Sequence, residues 1–256
     1  MDETRDSIPP ERMQRNYEEV RARIADAATK VSRPIDAVKL VAVTKSVGVA
    51  EIKCLLELGL RNLGEARVQD GERKIRGVLA LGREPVPRQL ESGVLPPLRW
   101  HLIGHLQTNK ADKAAKLFQV VHSVDSLRVA QALNKERLKL PVLPPLPCLL
   151  EINAAGETQK FGLAPDAAAV GELLQQCAGL PGLQLIGLMC MAPYSENPEA
   201  TSRPVFRKVR ELRDALNAGN CYPSPLTELS MGMTQDYAIA VEEGATMVRV
   251  GTALFE

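Results

Sequence analysis

Excess charge of either sign is what this sequence most plainly lacks. Its 32 lysines and arginines stand against 31 acids, a net charge of +1. Neither a nucleic-acid partner nor a membrane surface is expected from that balance. No apolar run approaches the length that crosses a bilayer. The start, Met1 to Asp6, carries acids and lacks the apolar core of a secretory leader, so a cytoplasmic protein is expected. Cysteine is sparse and scattered: Cys54, Cys148, Cys177, Cys190 and Cys221 form no C-x-x-C pair. An odd, widely spaced set reads as free thiols in a reducing compartment. Histidines number three, His101, His105 and His122. The first two stand four apart, but Gly104 lies between them and no H-E-x-x-H occurs, so no metal site is expected. Internal repeats and low-complexity tails are also missing.

What is present is a large apolar fraction, 45%, in a chain of 256 residues. That length suits one (β/α)8 barrel, and residues 1–256 are read as a single domain. Lys39-Leu-Val-Ala-Val-Thr-Lys45 has the composition of a strand buried on both faces, ending on a lysine. Before it, Met13, Tyr17, Val20, Ile24, Ala28 and Val31 fall at helical spacing and predict an extra N-terminal helix. After it, strands are expected at 61–64, 98–103, 118–124, 148–153, 183–191, 226–230 and 247–250, each followed by a helical pattern. Eight such repeats imply a closed parallel barrel. An open doubly wound sheet is the runner-up, weakened because no G-x-G-x-x-G follows the first strand. Two proline-rich stretches, 77–97 and 140–147, read as stiff connections on the N-terminal face.

In such barrels ligands bind where strands end. The residues there are Lys45, Glu65, Gly104 with His105, Asp125, Asn153, Met191, Ser230 and Gly251. Lys45 is either a solvent-facing strand end or a nucleophile for carbonyls. The loops Ser230-Met-Gly-Met-Thr-Gln-Asp236 and Gly251-Thr252 follow strands seven and eight, the common phosphate-binding position. Gly232 and Gly251 can equally be plain turn residues. Arg249, inside the last strand, either pairs with Glu65 or Glu151 or faces a ligand. A lysine, a phosphate cup and an arginine together describe a pyridoxal phosphate site.

The chain resembles the YggS/PROSC family of pyridoxal phosphate-binding homeostasis proteins over nearly its whole length. The resemblance is carried by Leu40-Val-Ala-Val-Thr-Lys45, Gly64-Glu65, Trp100 to Lys110, Val124-Asp-Ser126, Gly187-Leu-Met189, Leu229-Ser-Met-Gly-Met233 with Asp236, and Val248-Arg-Val-Gly-Thr252. It implies a barrel like the N-terminal domain of alanine racemase, with pyridoxal 5′-phosphate held covalently as a Schiff base on Lys45. It further implies that Ser230, Met231, Gly251 and Thr252 hold the cofactor, its phosphate above all, and that Arg249 lies near the pyridine nitrogen. Two departures stand out: Ala66 occupies the place of the family's usual asparagine, and the chain ends at Phe255-Glu256, where relatives often continue.

The family is regarded as a set of cofactor carriers or regulators of vitamin B6 balance. A non-enzymatic, monomeric carrier is therefore expected, with pyridoxal phosphate and pyridoxal phosphate-dependent apoenzymes as its partners. An arginine beside the ring nitrogen disfavours its protonation and weakens the ring as an electron sink. The alternatives are a racemase-like enzyme on the same cofactor and a cofactor-free Schiff-base aldolase. A racemase needs a second acid/base group, and Tyr194, after strand six, is the tyrosine placed to supply one.

Overall fold

The computed structural model describes residues 8–82, 96–157 and 159–256. The first residues, 1–7, and most of the proline-rich connection, 83–95, lie outside the described residues. Eight strands close into a barrel in chain order, every pair parallel: Lys39–Val43 (β1), Asn62–Glu65 (β2), Arg99–Leu102 (β3), Val120–Val124 (β4), Leu146–Ile152 (β5), Leu183–Cys190 (β6), Glu228–Ser230 (β7) and Met247–Val250 (β8). Closure is direct, with Lys39, Leu40, Val41 and Ala42 in register with Met247, Val248, Arg249 and Val250. The helices between strands are Val49–Glu57 (α2), Val68–Leu79 (α3), Ala111–Leu117 (α4), Leu127–Arg137 (α5), Ala167–Cys177 (α6), Pro198–Ala218 (α7) and Tyr237–Glu242 (α8). Thr252–Phe255 forms a last short helix, α9.

The N-terminal helix, Pro10–Lys30 (α1), starts on proline, whose missing N–H costs nothing there. It buries Met13, Val20, Ile24, Ala27 and Ala28 against α8 and α9. Those two helices are only 6 and 4 residues long. They cannot cover the outer face of β8 unaided, and α1 supplies the missing apolar layer. Arg33, just past α1, donates to the carbonyls of Val241 and Ala245 and so satisfies the end of α8. Asn16 donates to the Leu254 carbonyl of α9. Val31, read as part of the stripe, instead follows the helix and is exposed.

Most strand boundaries shift by one or two residues from those expected, and two of the shifts have a plain cause. β4 begins at Val120, not at residue 118, because Phe118 ends α4 and turns its fully buried ring under α3. A Cβ on Gly71 of α3 would lie 2.5 Å from that ring, so the helix needs glycine where the ring enters. β5 begins at Leu146 and contains Pro147, inside the stretch read as a connection. Proline is tolerated there because it stands at the strand's first positions.

Outside the barrel wall, a buried ion pair fixes the end of β1. Glu65, the last residue of β2, points away from the lumen and meets Lys74 of α3 at 2.7 Å, both side chains being buried. Lys74 also donates to the Thr44 carbonyl, and the Thr44 hydroxyl donates to the same Glu65 oxygen. The backbone immediately before Lys45 is thus held from two sides.

Inside the wall, a polar chain crosses the lumen. Arg249 Nη1 lies 2.6 Å from Ser230 Oγ, Ser230 Oγ 2.8 Å from His122 Nδ1, His122 Nε2 2.8 Å from His101 Nδ1, and His101 Nε2 3.1 Å from Asn62 Oδ1. Five strands contribute, and β4 and β7 are not neighbours, so the His122–Ser230 link must span the interior. An apolar cluster of Val120, Leu149 and Met189 fills the rest of this level. Both imidazoles are neutral. Burial first, then Arg99 and Lys39, push His101 down to about 3. Burial, His101 and Arg249 hold His122 well below the ordinary histidine value.

Two outcomes follow from these buried groups. Lys74→Met should leave the Glu65 carboxyl buried without its cation and cost about 3 kcal/mol in urea unfolding. Adding Glu65→Leu should recover most of that loss. The contribution of the two rings to stability should also be full above pH ~6.5 and fall as pH drops below it, because the unfolded chain takes up protons on rings that the fold keeps neutral. Each ring contributes up to about 1.4 kcal/mol per pH unit. The unfolding free energy of His122→Gln, measured between pH 5 and 6, should therefore have a shallower pH slope than the wild type by up to one proton. The comparison cancels the contribution of other titrating groups.

Candidate functional site

The site is assembled at the C-terminal ends of β1, β7 and β8. Lys45 follows β1 by two residues and opens a turn into α2. Its side chain is exposed, and among the described residues no ion pair or hydrogen bond occupies its amine. Because β1 and β8 are hydrogen-bonded neighbours, Gly251 and Thr252 stand beside Lys45 on the rim. A Cβ on Gly251 would meet the Val43 backbone oxygen at 3.3 Å, so glycine lets β8 leave the barrel close against β1. Thr252 is exposed and presents its hydroxyl at the start of α9.

The loop after β7 is built around Gly232 and Asp236. Gly232 has φ +92°, and a Cβ there would lie 2.5 Å from Ala240 Cβ and 2.8 Å from Tyr237 Cα. Only glycine lets this loop lie on the first turn of α8. Asp236 accepts from the Met233 N–H at 2.7 Å and from the Ser202 hydroxyl at 2.9 Å, tying the loop to α7. Thr234 Oγ1 accepts from the Ala253 N–H at 3.4 Å, and the Arg249 N–H donates to the Gly232 carbonyl at 2.9 Å. The two loops expected to form a cup are therefore joined to each other.

Arg249 lies beneath them, 3% exposed. Nη1 donates to Ser230 Oγ, and Nη2 donates to the Cys190 carbonyl at 2.8 Å. Neither expected carboxylate pairs with it. Glu65 belongs to Lys74 on the far side of the wall. Glu151, on β5, acts on Arg249 through space without forming an ion pair. Its own Oε2 has no hydrogen-bond partner. Burial, then repulsion from Asp125, push the Glu151 carboxyl up to about 7, against the pull of Arg249. A buried guanidinium without a paired carboxylate is a cation left open to an acceptor that is not part of the chain.

Two of the residues taken from the resemblance have different environments from those expected. Met231 has its side chain in the outer core, fully buried, and its N–H donates to the Met247 carbonyl at 3.1 Å. Its side chain and its N–H are thus both committed within the chain. Ser230 is in place at the end of β7, but its hydroxyl is engaged by Arg249 and His122 and is not a free phosphate donor. Ser126, not Asp125, caps α5. Asp125 instead meets His105 at 3.2 Å, and His105 stacks on Phe161 with centroids 3.6 Å apart. Tyr194 is 87% exposed and is bonded to none of the described site residues. Ala66 has its carbonyl oxygen 2.3 Å from where a Gly104 Cβ would be, so the ends of β2 and β3 approach closely at that position.

Sequence reading missed His101, His122, Asn62 and the full part of Glu151. The available signal was parity: Asn62, His101 and His122 sit at lumen-facing positions of their strands, where apolar residues dominate. Weighing the histidines only as metal ligands passed over it. Among the described residues no group of three or more histidine, cysteine or acidic side chains is placed to hold a metal ion.

The donor set suits pyridoxal phosphate. A free amine and an exposed hydroxyl stand on adjacent strand ends, above a buried cation that Asp236 and Glu151 attract without pairing with it. The family model "Alanine racemase, N-terminal domain" matches residues 9–256. The pyridoxal phosphate homeostasis protein of Pseudomonas aeruginosa is 40% identical over 242 residues, 94% of this chain and 93% of that one. That of Escherichia coli K12 is 36% identical, covering 94% of each. PipY of Synechococcus elongatus, solved with pyridoxal phosphate bound, superposes with a TM-score of 0.73 at 34% identity, covering 91% of this chain and 100% of that one. Alanine racemase of Clostridium difficile, at 15% identity and a TM-score of 0.72, shares the fold, with 96% of this chain matching 60% of that one. The chain belongs to the pyridoxal phosphate homeostasis protein family, built on the alanine racemase N-terminal barrel.

Proposed function

We propose that this chain binds pyridoxal 5′-phosphate and serves its homeostasis, carrying the cofactor as a Schiff base on Lys45. One observation carries the reading: the uncommitted Lys45 amine stands beside the Gly251–Thr252 rim, over a buried Arg249 that has no paired carboxylate. Bound pyridoxal phosphate supplies an aldehyde for amines and an electron-withdrawing ring. Lys45 provides the amine that condenses with it. The Thr252 hydroxyl and the backbone at Gly251 take the phosphate, with Ser230 contributing through its hold on Arg249. Arg249 presents only donors, so it meets an unprotonated ring nitrogen and opposes its protonation.

A carrier suits this site better than an enzyme. Proton transfer at an amino-acid α-carbon needs an acid/base group beyond the lysine, and Tyr194 points into solvent. The reading takes residues 1–256 as one domain, acting as a cytoplasmic monomer that supplies acceptor apoenzymes. No helix among the described residues is long and apolar enough to cross a membrane. A racemase-like activity is the second reading, and the buried Glu151 carboxyl, pushed up to about 7, is the observation in its favour.

Protein loaded with pyridoxal phosphate should show the absorbance of an imine. Borohydride should fix the label on Lys45, as read by peptide mapping, and Lys45→Ala should abolish both signals. A label on another lysine would refute the assignment. Thr252→Val should weaken cofactor binding about tenfold or more by removing one hydrogen bond to a charged group, with little effect on folding, since the residue is exposed. Incubation with amino acids in deuterated water separates carrier from racemase: α-hydrogen exchange no faster than with free cofactor is expected, and exchange well above that rate would favour the enzyme.

A further inference from the structure

We propose that His122 and His101, anchored by Asn62, are positioning residues for Arg249: acting through Ser230, they hold its guanidinium under the cofactor and off Glu151. The inference rests on the cofactor site proposed above. Arg249 is long and flexible, and Glu151 is near enough to attract it electrostatically. The guanidinium nevertheless spends Nη1 on Ser230 Oγ and Nη2 on the Cys190 carbonyl. What keeps it there is the acceptor character of Ser230.

That character is set three residues along the chain of hydrogen bonds, at Asn62. Asn62 Oδ1 can only accept, so His101 donates from Nε2 and accepts at Nδ1. His122 then donates from Nε2 to His101 and accepts at Nδ1. The Ser230 hydroxyl therefore gives its proton to His122 and turns a lone pair to Arg249. Every donor points the same way, from Arg249 on β8 to Asn62 on β2, and both rings are neutral. The opposite direction would make Ser230 accept from both sides and leave its own proton without a partner in a fully buried place. None of these four side chains is exposed to the rim, so they act on a ligand only through Arg249.

The first test is nitrogen-15 NMR of the cofactor-loaded wild type at pH 7. Both histidines should be neutral Nε2–H tautomers. An Nδ1–H tautomer or a charged ring at either position would overturn the proposal. The second test measures binding of 4′-deoxypyridoxine 5′-phosphate, which has no aldehyde and reports the pocket without the Lys45 bond. His122→Leu should bind it about tenfold more weakly, the loss of one hydrogen bond to a charged group. His122→Gln, which restores an acceptor and a donor, should bind within about threefold of wild type. Adding Glu151→Gln to His122→Leu should recover affinity, since the competing carboxylate is gone. Equal binding by wild type and folded His122→Leu, or no rescue by either second change, would overturn the proposal. If His122→Leu does not fold, the tautomers in the wild type decide. Wild type that binds neither the analogue nor pyridoxal phosphate would overturn the cofactor reading itself, a result distinct from unaltered binding in the variant.

Discussion

The rest of the structure depends on the seam between β1 and β8. Four registered pairs bring Lys39 to Ala42 against Met247 to Val250. Without that seam Lys45 and Thr252 would stand at opposite edges of an open sheet, over 200 residues apart in sequence. With it they are neighbours on one rim. Gly251 is the local condition for the seam, because a side chain there would press on Val43. The short α8 and α9 are the weakness in its cover, and α1 makes up for them. Barrel closure, a glycine and an added helix thus act together to place the Lys45 amine next to the Gly251–Thr252 rim.

Buried charge is sorted by the wall. On the outside, Glu65 and Lys74 pair at 2.7 Å and hold the Thr44 backbone from which Lys45 springs. On the inside, Arg249 is denied a carboxylate and given neutral partners. The two arrangements have opposite purposes. A matched pair locks backbone in place and attracts nothing further. A cation held by neutral dipoles keeps most of its field for a ligand. Glu151 lies between these cases: desolvated, repelled by Asp125 and half-way to neutral, it accompanies Arg249 without neutralising it.

Much of the site's frame was legible in the sequence because it follows chain order. Strand ends come from turn residues and apolar runs, and in a parallel barrel every strand end lies on one rim. That logic places Lys45, Ser230, Arg249, Gly251 and Thr252 where the structure has them. Parity is harder to read. Glu65 was grouped with the rim residues, yet one position separates it from the lumen-facing Gly64, and one position turns a strand side chain to the other face. Met231 differs from Ser230 in the same way. The histidine chain was illegible for another reason. It joins strands that are not neighbours, and which rows meet across a lumen depends on the stagger of the closed sheet, a property of no single strand.

The N-terminal helix has a consequence in time as well as in space. Its apolar stripe, Met13, Val20, Ile24, Ala27 and Ala28, packs on α8 and α9, the last helices of the chain to be made. Likewise β1 has one free edge until β8 exists. During synthesis both surfaces wait until β8, α8 and α9 have been made. The rim beside Lys45 is therefore completed by the same late event that buries α1. A chain synthesised only as far as β7 has Lys45 without the Gly251–Thr252 rim beside it.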